Sequence, residues 1–171
     1  MKRRTTVRNI FTVAAIVGLA PSTGFSSAWA APQDAWSEGP AAGSTAADRN
    51  DSYVNKFTLR CVDSSVNGLQ ALECNSLPFQ SWTRSSSWSA YELRNRSTGL
   101  CLDDSAKFGL RAFPCNGTTF QAWNIYARDG GAVQITNLET GKCLDDSFAS
   151  GLRSLGCNGQ GFQRWYPRYG S

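Results

Sequence analysis

Short runs in which apolar and polar residues alternate mark the chain from Tyr53 onward. Along residues 133–137 (VQITN) the alternation has a period of two, which is typical of a strand with one buried face. Further strands are predicted at residues 142–145, 151–155 and 162–166. Residues 128–131 (RDGG) precede the first of these runs and predict a turn, because glycine tolerates positive φ. No stretch shows a sustained helical period, so the pattern indicates an all-β protein.

The same unit of strands occurs three times. Each copy begins with the motif Cys-Val/Leu-Asp, whose cysteines, Cys61, Cys101 and Cys143, are 40 and 42 residues apart. A second cysteine follows 13 or 14 residues later, an asparagine comes next, and a Phe-Gln-x-Trp box closes each copy. Several shared positions in three copies indicate internal repetition. Four strands in each copy predict a twelve-stranded barrel with threefold pseudosymmetry, since propellers need at least four blades.

The repetition also predicts how the six cysteines pair. Of the fifteen pairings that six cysteines permit, it selects Cys61–Cys74, Cys101–Cys115 and Cys143–Cys157. Each bridge closes a loop worth about 3 kcal/mol in the chain-entropy model. Zinc sites use closer Cys-x-x-Cys spacings, and evenly paired cysteines argue against redox chemistry. We therefore predict three structural disulfides, and neither a metal nor a cofactor.

The N-terminal segment has the features of an export signal. Basic residues lead, an apolar stretch of eleven follows at residues 10–20, and Ala28-Trp29-Ala30 offers a cleavage site. Eleven apolar residues are too few to span a bilayer, which needs about 20. We expect a signal peptide at residues 1–30, a flexible linker at 31–52 and the folded domain at 53–171. The mature protein is then secreted, extracellular and without a membrane span.

Charge and composition narrow the function further. The net charge of +4 comes from four basic residues before residue 10, so nothing suggests a nucleic-acid partner. The chain has no histidine, which removes Ser-His, Cys-His and His-zinc arrangements. Asp103 and Asp104 are adjacent on a strand and point to opposite faces, so they cannot flank one glycosidic bond. A protein without enzymatic activity is expected.

The bridges suggest which side chains are neighbours. If the cysteines of a bridge face each other across two antiparallel strands, Asp103 lies opposite Phe113, with Arg111 on the diagonal. A ring stacks on the apolar face of a sugar, and a carboxylate accepts hydrogen bonds from its hydroxyls. The same rule places Leu155 opposite Asp145 with Arg153 on the diagonal, and Leu72 opposite Asp63 with Gln70 on the diagonal. Only the second copy has the ring.

These motifs resemble the ricin-type β-trefoil lectins, also grouped as a carbohydrate-binding module. The resemblance rests on the triplicate C-[VL]-D motif, the Q-x-W boxes and one bridge per copy. It covers residues 53 to 168. It is greatest to secreted actinobacterial members, which share the pattern CLDDS…GLR…CN. It implies a β-trefoil with the Q-x-W tryptophans in its core and shallow pockets for galactose-type sugars or plant-wall polysaccharides. The candidate carbohydrate-binding residues are Asp103, Phe113, Gln121 and Arg111 in the second copy, Asp145 and Gln163 in the third, and Asp63 and Gln80 in the first.

The chain also departs from the family pattern. The asparagine before the box glutamine is Phe79, Phe120 or Phe162, which removes a hydrogen bond worth about 1 kcal/mol. Arg111 and Arg153 are placed to neutralise the aspartates. Asp104 and Asp146, with the serines that follow them, are expected to cap turns. Two alternatives to sugar binding stay open: a protein-interaction module, such as a toxin-subunit-like or inhibitor-like trefoil, and a scaffold that has lost its ligand.

Overall fold

The computed structural model describes residues 49–170, which form twelve β-strands and four one-turn 3₁₀ helices. The strands are β1 (Arg49–Asn55), β2 (Arg60–Ser65), β3 (Gly68–Glu73), β4 (Trp82–Ser87), β5 (Ala90–Asn95), β6 (Cys101–Ser105), β7 (Gly109–Phe113), β8 (Ala122–Ala127), β9 (Val133–Asn137), β10 (Cys143–Ser147), β11 (Gly151–Leu155) and β12 (Trp165–Tyr169). The 3₁₀ helices span Pro78–Gln80, Thr119–Gln121, Asp129–Gly131 and Gly161–Gln163. The predicted all-β class is confirmed.

Six of the strands close a barrel. β1 pairs with β4 and β12, β5 pairs with β4 and β8, and β9 pairs with β8 and β12, all antiparallel. The remaining strands form three hairpins, β2–β3, β6–β7 and β10–β11, which contact one another at their second strands. Each repeat therefore contributes two barrel strands and one hairpin, which is the β-trefoil that the sequence predicted.

Two predicted boundaries change. β1 begins at Arg49 and Asp51 is fully buried, so residues 49–52 belong to the first strand and not to the linker. The strand predicted at 162–166 begins only at Trp165, because Gly161–Gln163 form a 3₁₀ helix. The predicted signal peptide and the rest of the linker lie outside the described residues. No helix among residues 49–170 is long and apolar enough to cross a membrane.

The three box tryptophans fill the centre of the barrel, as predicted. Trp82, Trp123 and Trp165 are at most 1% exposed. Each indole N–H donates to the carbonyl oxygen that follows the first cysteine of its own repeat, at 2.9–3.0 Å. A buried indole needs such a partner, because an unpaired N–H would cost free energy. The tryptophan thus fixes each hairpin to the core.

Asparagines six residues before each first cysteine join the repeats. The Nδ2 of Asn55 donates to the carbonyl of Phe162, that of Asn95 to Phe79, and that of Asn137 to Phe120. The Oδ1 of each asparagine accepts from backbone N–H groups two and three residues later, which closes an Asx turn. The box phenylalanines are half-buried, and their carbonyl oxygens accept these contacts between repeats.

Candidate functional site

The three predicted disulfides are present, but the register that they were expected to impose is wrong by two residues. Asp103 lies opposite Arg111, and Phe113 lies opposite Cys101. Likewise Asp145 faces Arg153, and Asp63 faces Gln70. The second cysteine of each bridge lies just beyond the end of its strand, so the disulfide runs obliquely rather than straight across the ladder. Each aspartate therefore has as its direct partner the residue that was predicted on the diagonal.

Arg111 joins this carboxylate to two aromatic rings. Its Nε donates to the Oδ1 of Asp103 at 2.8 Å, and the carboxylate is almost completely buried. The guanidinium carbon lies 3.9 Å from the centre of the Phe113 ring and 4.7 Å from that of Phe108. Cation–π contacts of this kind hold a guanidinium plane in place. The contact with Asp103 uses Nε, not the two terminal nitrogens.

A cavity of about 310 Å³ lies beside this pair. Its lining includes Asp103, Phe108, Arg111, Asn116, Thr118 and Phe120. Phe108 is 61% exposed, whereas Phe113, the ring predicted for the site, is half-buried behind Arg111 and does not line the cavity. Phe108 belongs to the turn between β6 and β7, where neither alternation nor the bridge identifies neighbours, so sequence reasoning did not find it. The cavity combines a carboxylate, a guanidinium and a ring.

The box glutamine supports one wall of the cavity from below. Gln121 is buried; its Oε1 accepts from the backbone N–H of Asn116 at 2.8 Å, and its Nε2 donates to the carbonyl of Pro114 at 3.1 Å. Gln80 and Gln163 make the same two contacts in their own repeats. Both ends of each amide are therefore occupied by backbone. The glutamines hold the loop that follows the second cysteine.

The other two repeats lack parts of this arrangement. In the third, the Nε of Arg153 donates to Asp145 at 2.9 Å, but Leu155 and Ser150 replace the two phenylalanines. In the first, the Oδ1 of Asp63 is buried and has no hydrogen-bond partner among the described residues. Repeat one thus holds an unpaired acceptor. Repeat three holds an ion pair whose arginine contacts no described ring, although its turn carries the exposed Phe148, which lies beside Arg60 of the first repeat.

Two predicted turn-capping aspartates have another role. Asp104 accepts from the hydroxyls of Thr140 and Ser154 in the third repeat, and Asp146 accepts from Thr58 and Arg60 in the first. Both aspartates are fully buried, so these contacts join repeats instead of closing turns. The serines that follow do close turns: the hydroxyl of Ser105 accepts from the N–H of Phe108, at 2.9 Å.

A second cavity, of about 360 Å³, lies on the outer face of β4 and β5. Thr83, Ser85, Glu92 and Arg94 line it together with residues 95, 96 and 99, and none of these carries an aromatic ring. The Glu92 carboxylate also lies close to Cys101 and Cys115, whose sulfurs are bonded to each other. This cavity therefore offers hydrogen bonds but no surface for stacking.

A family model and several solved structures match the chain. Residues 89–171 match the model of the ricin-type beta-trefoil lectin domain. This match supports carbohydrate binding as the general function and does not favour the protein-interaction alternative. No curated protein matches the chain.

Solved structures share the fold at low sequence identity. A designed three-fold symmetric protein, ThreeFoil, is 18% identical with a TM-score of 0.63, and covers 69% of this chain and 96% of its own. The Macrolepiota procera ricin B-like lectin, solved with lactose, is 19% identical with a TM-score of 0.60, and covers 69% and 93%. An exo-beta-1,3-galactanase from Clostridium thermocellum is 19% identical with a TM-score of 0.63, and covers 72% of this chain but only 30% of its own.

Proposed function

We propose that this chain, a β-trefoil whose residues 89–171 match the ricin-type lectin domain, is a secreted protein that binds glycans through the cavity of its second repeat. The three disulfides support an extracellular location, since such bridges persist in oxidising compartments. Galactose-type sugars or plant-wall glycans are the proposed ligands. The Macrolepiota procera lectin, whose structure contains lactose, and the galactanase support this class of sugar.

The observation that carries the proposal is the combination of Asp103, Arg111 and Phe108 at one cavity. The ring of Phe108 is exposed and can stack on the C–H face of a pyranose. The Asp103 carboxylate accepts hydrogen bonds from sugar hydroxyls, and the terminal nitrogens of Arg111 donate to ring or hydroxyl oxygens. Hydrogen bonds to charged groups contribute about 1.5–3 kcal/mol each. Two such bonds and one stacked ring are consistent with a shallow site that binds a single sugar weakly.

We also propose that the trefoil binds without catalysis. Asp103, the carboxylate at the cavity, is paired with Arg111, and the adjacent Asp104 is turned away to Thr140 and Ser154. Glycoside hydrolysis needs two carboxyl groups flanking one bond, about 5–10 Å apart with access to the same sugar. These two aspartates face different partners and do not flank one space.

Two matched aspartate variants test the site. Lactose and galactose binding is measured by calorimetry for the wild type, Asp103→Asn and Asp145→Asn. Both substitutions weaken an equivalent aspartate–arginine pair, but it is Asp103 that lines the 310 Å³ cavity together with Phe108. We expect Asp103→Asn to weaken binding about tenfold or more, the size of one charged hydrogen bond. Asp145→Asn should leave it nearly unchanged. Equal losses in both variants would contradict a site in repeat two.

A second pair of variants identifies the stacking ring. Phe108→Ala should abolish measurable binding of a single sugar, because it removes the exposed ring. Phe113→Ala should reduce binding less, since that ring acts only by supporting Arg111. If Phe113→Ala is the more damaging variant while both proteins keep their melting temperature, the sugar stacks on Phe113, as the sequence alone suggested.

A further inference from the structure

Trp88 is an exposed aromatic residue in an unfavourable backbone conformation. It lies in the turn between β4 and β5, has a φ of +57° and is 70% exposed. Counted from the first cysteine of the next repeat, its counterpart is Gly130, which has a φ of +68°. The left-handed region suits glycine and is costly for a bulky residue. Burial of the ring does not offset that cost, so the fold alone does not account for a tryptophan here.

The ring of Trp88 is held against the loop that forms the cavity wall. Its indole N–H donates to the carbonyl of Gly117 at 3.0 Å. The residues on either side of that glycine, Asn116 and Thr118, both line the cavity of the second repeat. Gln121 fixes the same loop from beneath through the N–H of Asn116. A rigid, exposed indole therefore stands at the edge of the proposed sugar site.

From this placement we propose that Trp88 is a second stacking position, which makes the ligand of repeat two an oligosaccharide or polysaccharide rather than a single sugar. The inference rests on the proposed function, because it extends the same site. One sugar unit stacks on Phe108 beside Asp103, and a neighbouring unit of the chain stacks on Trp88 across the Asn116–Thr118 wall. A tryptophan fixed before binding loses little conformational freedom on binding, which favours it as a platform.

The test compares ligands of increasing length. Galactose and β-1,3-linked galacto-oligosaccharides of two to four units are titrated into the wild type and Trp88→Gly. The glycine variant removes the ring, and glycine adopts the positive φ of this turn without strain, so the fold should be unharmed. In the wild type, affinity should rise about fivefold to tenfold between the single sugar and the trisaccharide, the size of one aromatic stacking contact. In Trp88→Gly the single-sugar affinity should be unchanged and the rise lost.

The outcomes separate this inference from the proposed function. A gain with length that survives in Trp88→Gly, or no gain in the wild type although galactose binds, overturns the role of Trp88 and leaves the repeat-two site intact. Absence of binding to every member of the series overturns both. Trp88→Phe adds a second measurement: it keeps a ring on the strained backbone and should retain part of the gain, whereas loss equal to that of Trp88→Gly would contradict stacking by an aromatic face.

Discussion

Arg60 in the first repeat is bonded to the fully buried carboxylate of Asp146 in the third, with 2.6 Å between Nη2 and Oδ1. Its Nε donates to the other oxygen of the same carboxylate at 3.0 Å, so the contact is bidentate. The corresponding carboxylate of the second repeat, Asp104, accepts only hydroxyl groups from the third. In the first repeat the position is Ser64, which lies 3.4 Å from Thr98 of the second. One structural position thus joins all three repeats, with different chemistry at each junction.

The Arg60–Asp146 pair should contribute strongly to stability. Arg60→Ala leaves a buried carboxylate without its cation, which costs about 3–5 kcal/mol when a buried pair is broken. We expect a loss near the lower end, because Arg60 is partly exposed. Urea unfolding measures the change. The matched control is Lys142→Ala: Lys142 also immediately precedes a first cysteine but forms no ion pair with a described residue, so less than about 0.5 kcal/mol should be lost. Equal losses would contradict the assignment.

Repetition in the sequence predicted most of the fold. Three equivalent cysteine pairs and three tryptophan boxes fix the repeat boundaries, the disulfides and the core, because a repeated unit must bury the same face each time. The hairpin register was not predictable from the bridges. Pairing ends at Phe113, two residues before Cys115, and at Leu155, two residues before Cys157, so these second cysteines lie outside the ladder. A disulfide also spans an oblique pair when the Cα atoms are 5.1 Å apart, so cysteine spacing does not define which residues are opposite.

The parts of the site that the sequence missed are in turns. Phe108 and Trp88 are residues at which the repeats differ, so neither repetition nor alternation constrains them. Asp103 and Arg111, by contrast, are on strands and recur in the third repeat, and both were predicted for the site. The strands thus supply the predictable polar pair. The turns supply rings at positions that differ between repeats: Phe108 lies against Arg111, whereas Phe148 of the third repeat lies beside Arg60.

One carboxylate oxygen of Asp63 in the first repeat has no partner among the described residues, so its loss should affect stability differently from the loss of a paired aspartate. Asp63 is buried, faces Gln70 and has an Oδ1 without a partner among the described residues. A buried charge that is not fully hydrogen-bonded is costly, so Asp63→Asn should be neutral or should stabilise the fold by about 1 kcal/mol. Asp145→Asn, in which Arg153 loses its carboxylate, should destabilise it. Thermal unfolding of both variants at neutral pH compares them. A large loss in Asp63→Asn would mean that the carboxylate is fully paired in solution.

Leu59 offers a test of backbone strain. It has a φ of +59° and is 68% exposed, whereas the same position in the other repeats is Gly99 or Gly141. A left-handed conformation costs a non-glycine residue about 1–2 kcal/mol, and the greater freedom of glycine in the unfolded chain offsets about 0.4–1 kcal/mol of the gain. Leu59→Gly should therefore stabilise the protein by about 0.5 kcal/mol. The reciprocal change, Gly141→Leu, should destabilise it, since open space around Gly141 leaves backbone strain as the main effect. In urea unfolding, Leu59→Gly should raise the free energy of unfolding and Gly141→Leu should lower it.

Tyr53 should make the protein sensitive to alkali. Burial raises the pKa of Tyr53 far above its ordinary value, and the negative charge of Asp51, which accepts a hydrogen bond from the Tyr53 hydroxyl at 3.3 Å, raises it further. The folded state therefore keeps the phenol proton where the unfolded state has lost it. Stability is unaffected below pH of about 10 and falls above it, by about 1.4 kcal/mol per pH unit for one group.

Urea unfolding at pH 8, 10 and 11 measures this slope in the wild type and in Tyr53→Phe. At pH 8 the variant should lose about 1 kcal/mol or less, because the hydrogen bond to Asp51 is long. Above pH 10 the stability of Tyr53→Phe should fall less steeply than that of the wild type, because the variant lacks the phenol. Plots of unfolding free energy against pH for the two proteins therefore converge as the pH rises. All six cysteines are paired, which leaves no described thiol to promote disulfide exchange over this range. If the unfolding free energies of the two proteins fall in parallel above pH 10, the Tyr53 phenol is not the cause of the alkaline loss of stability.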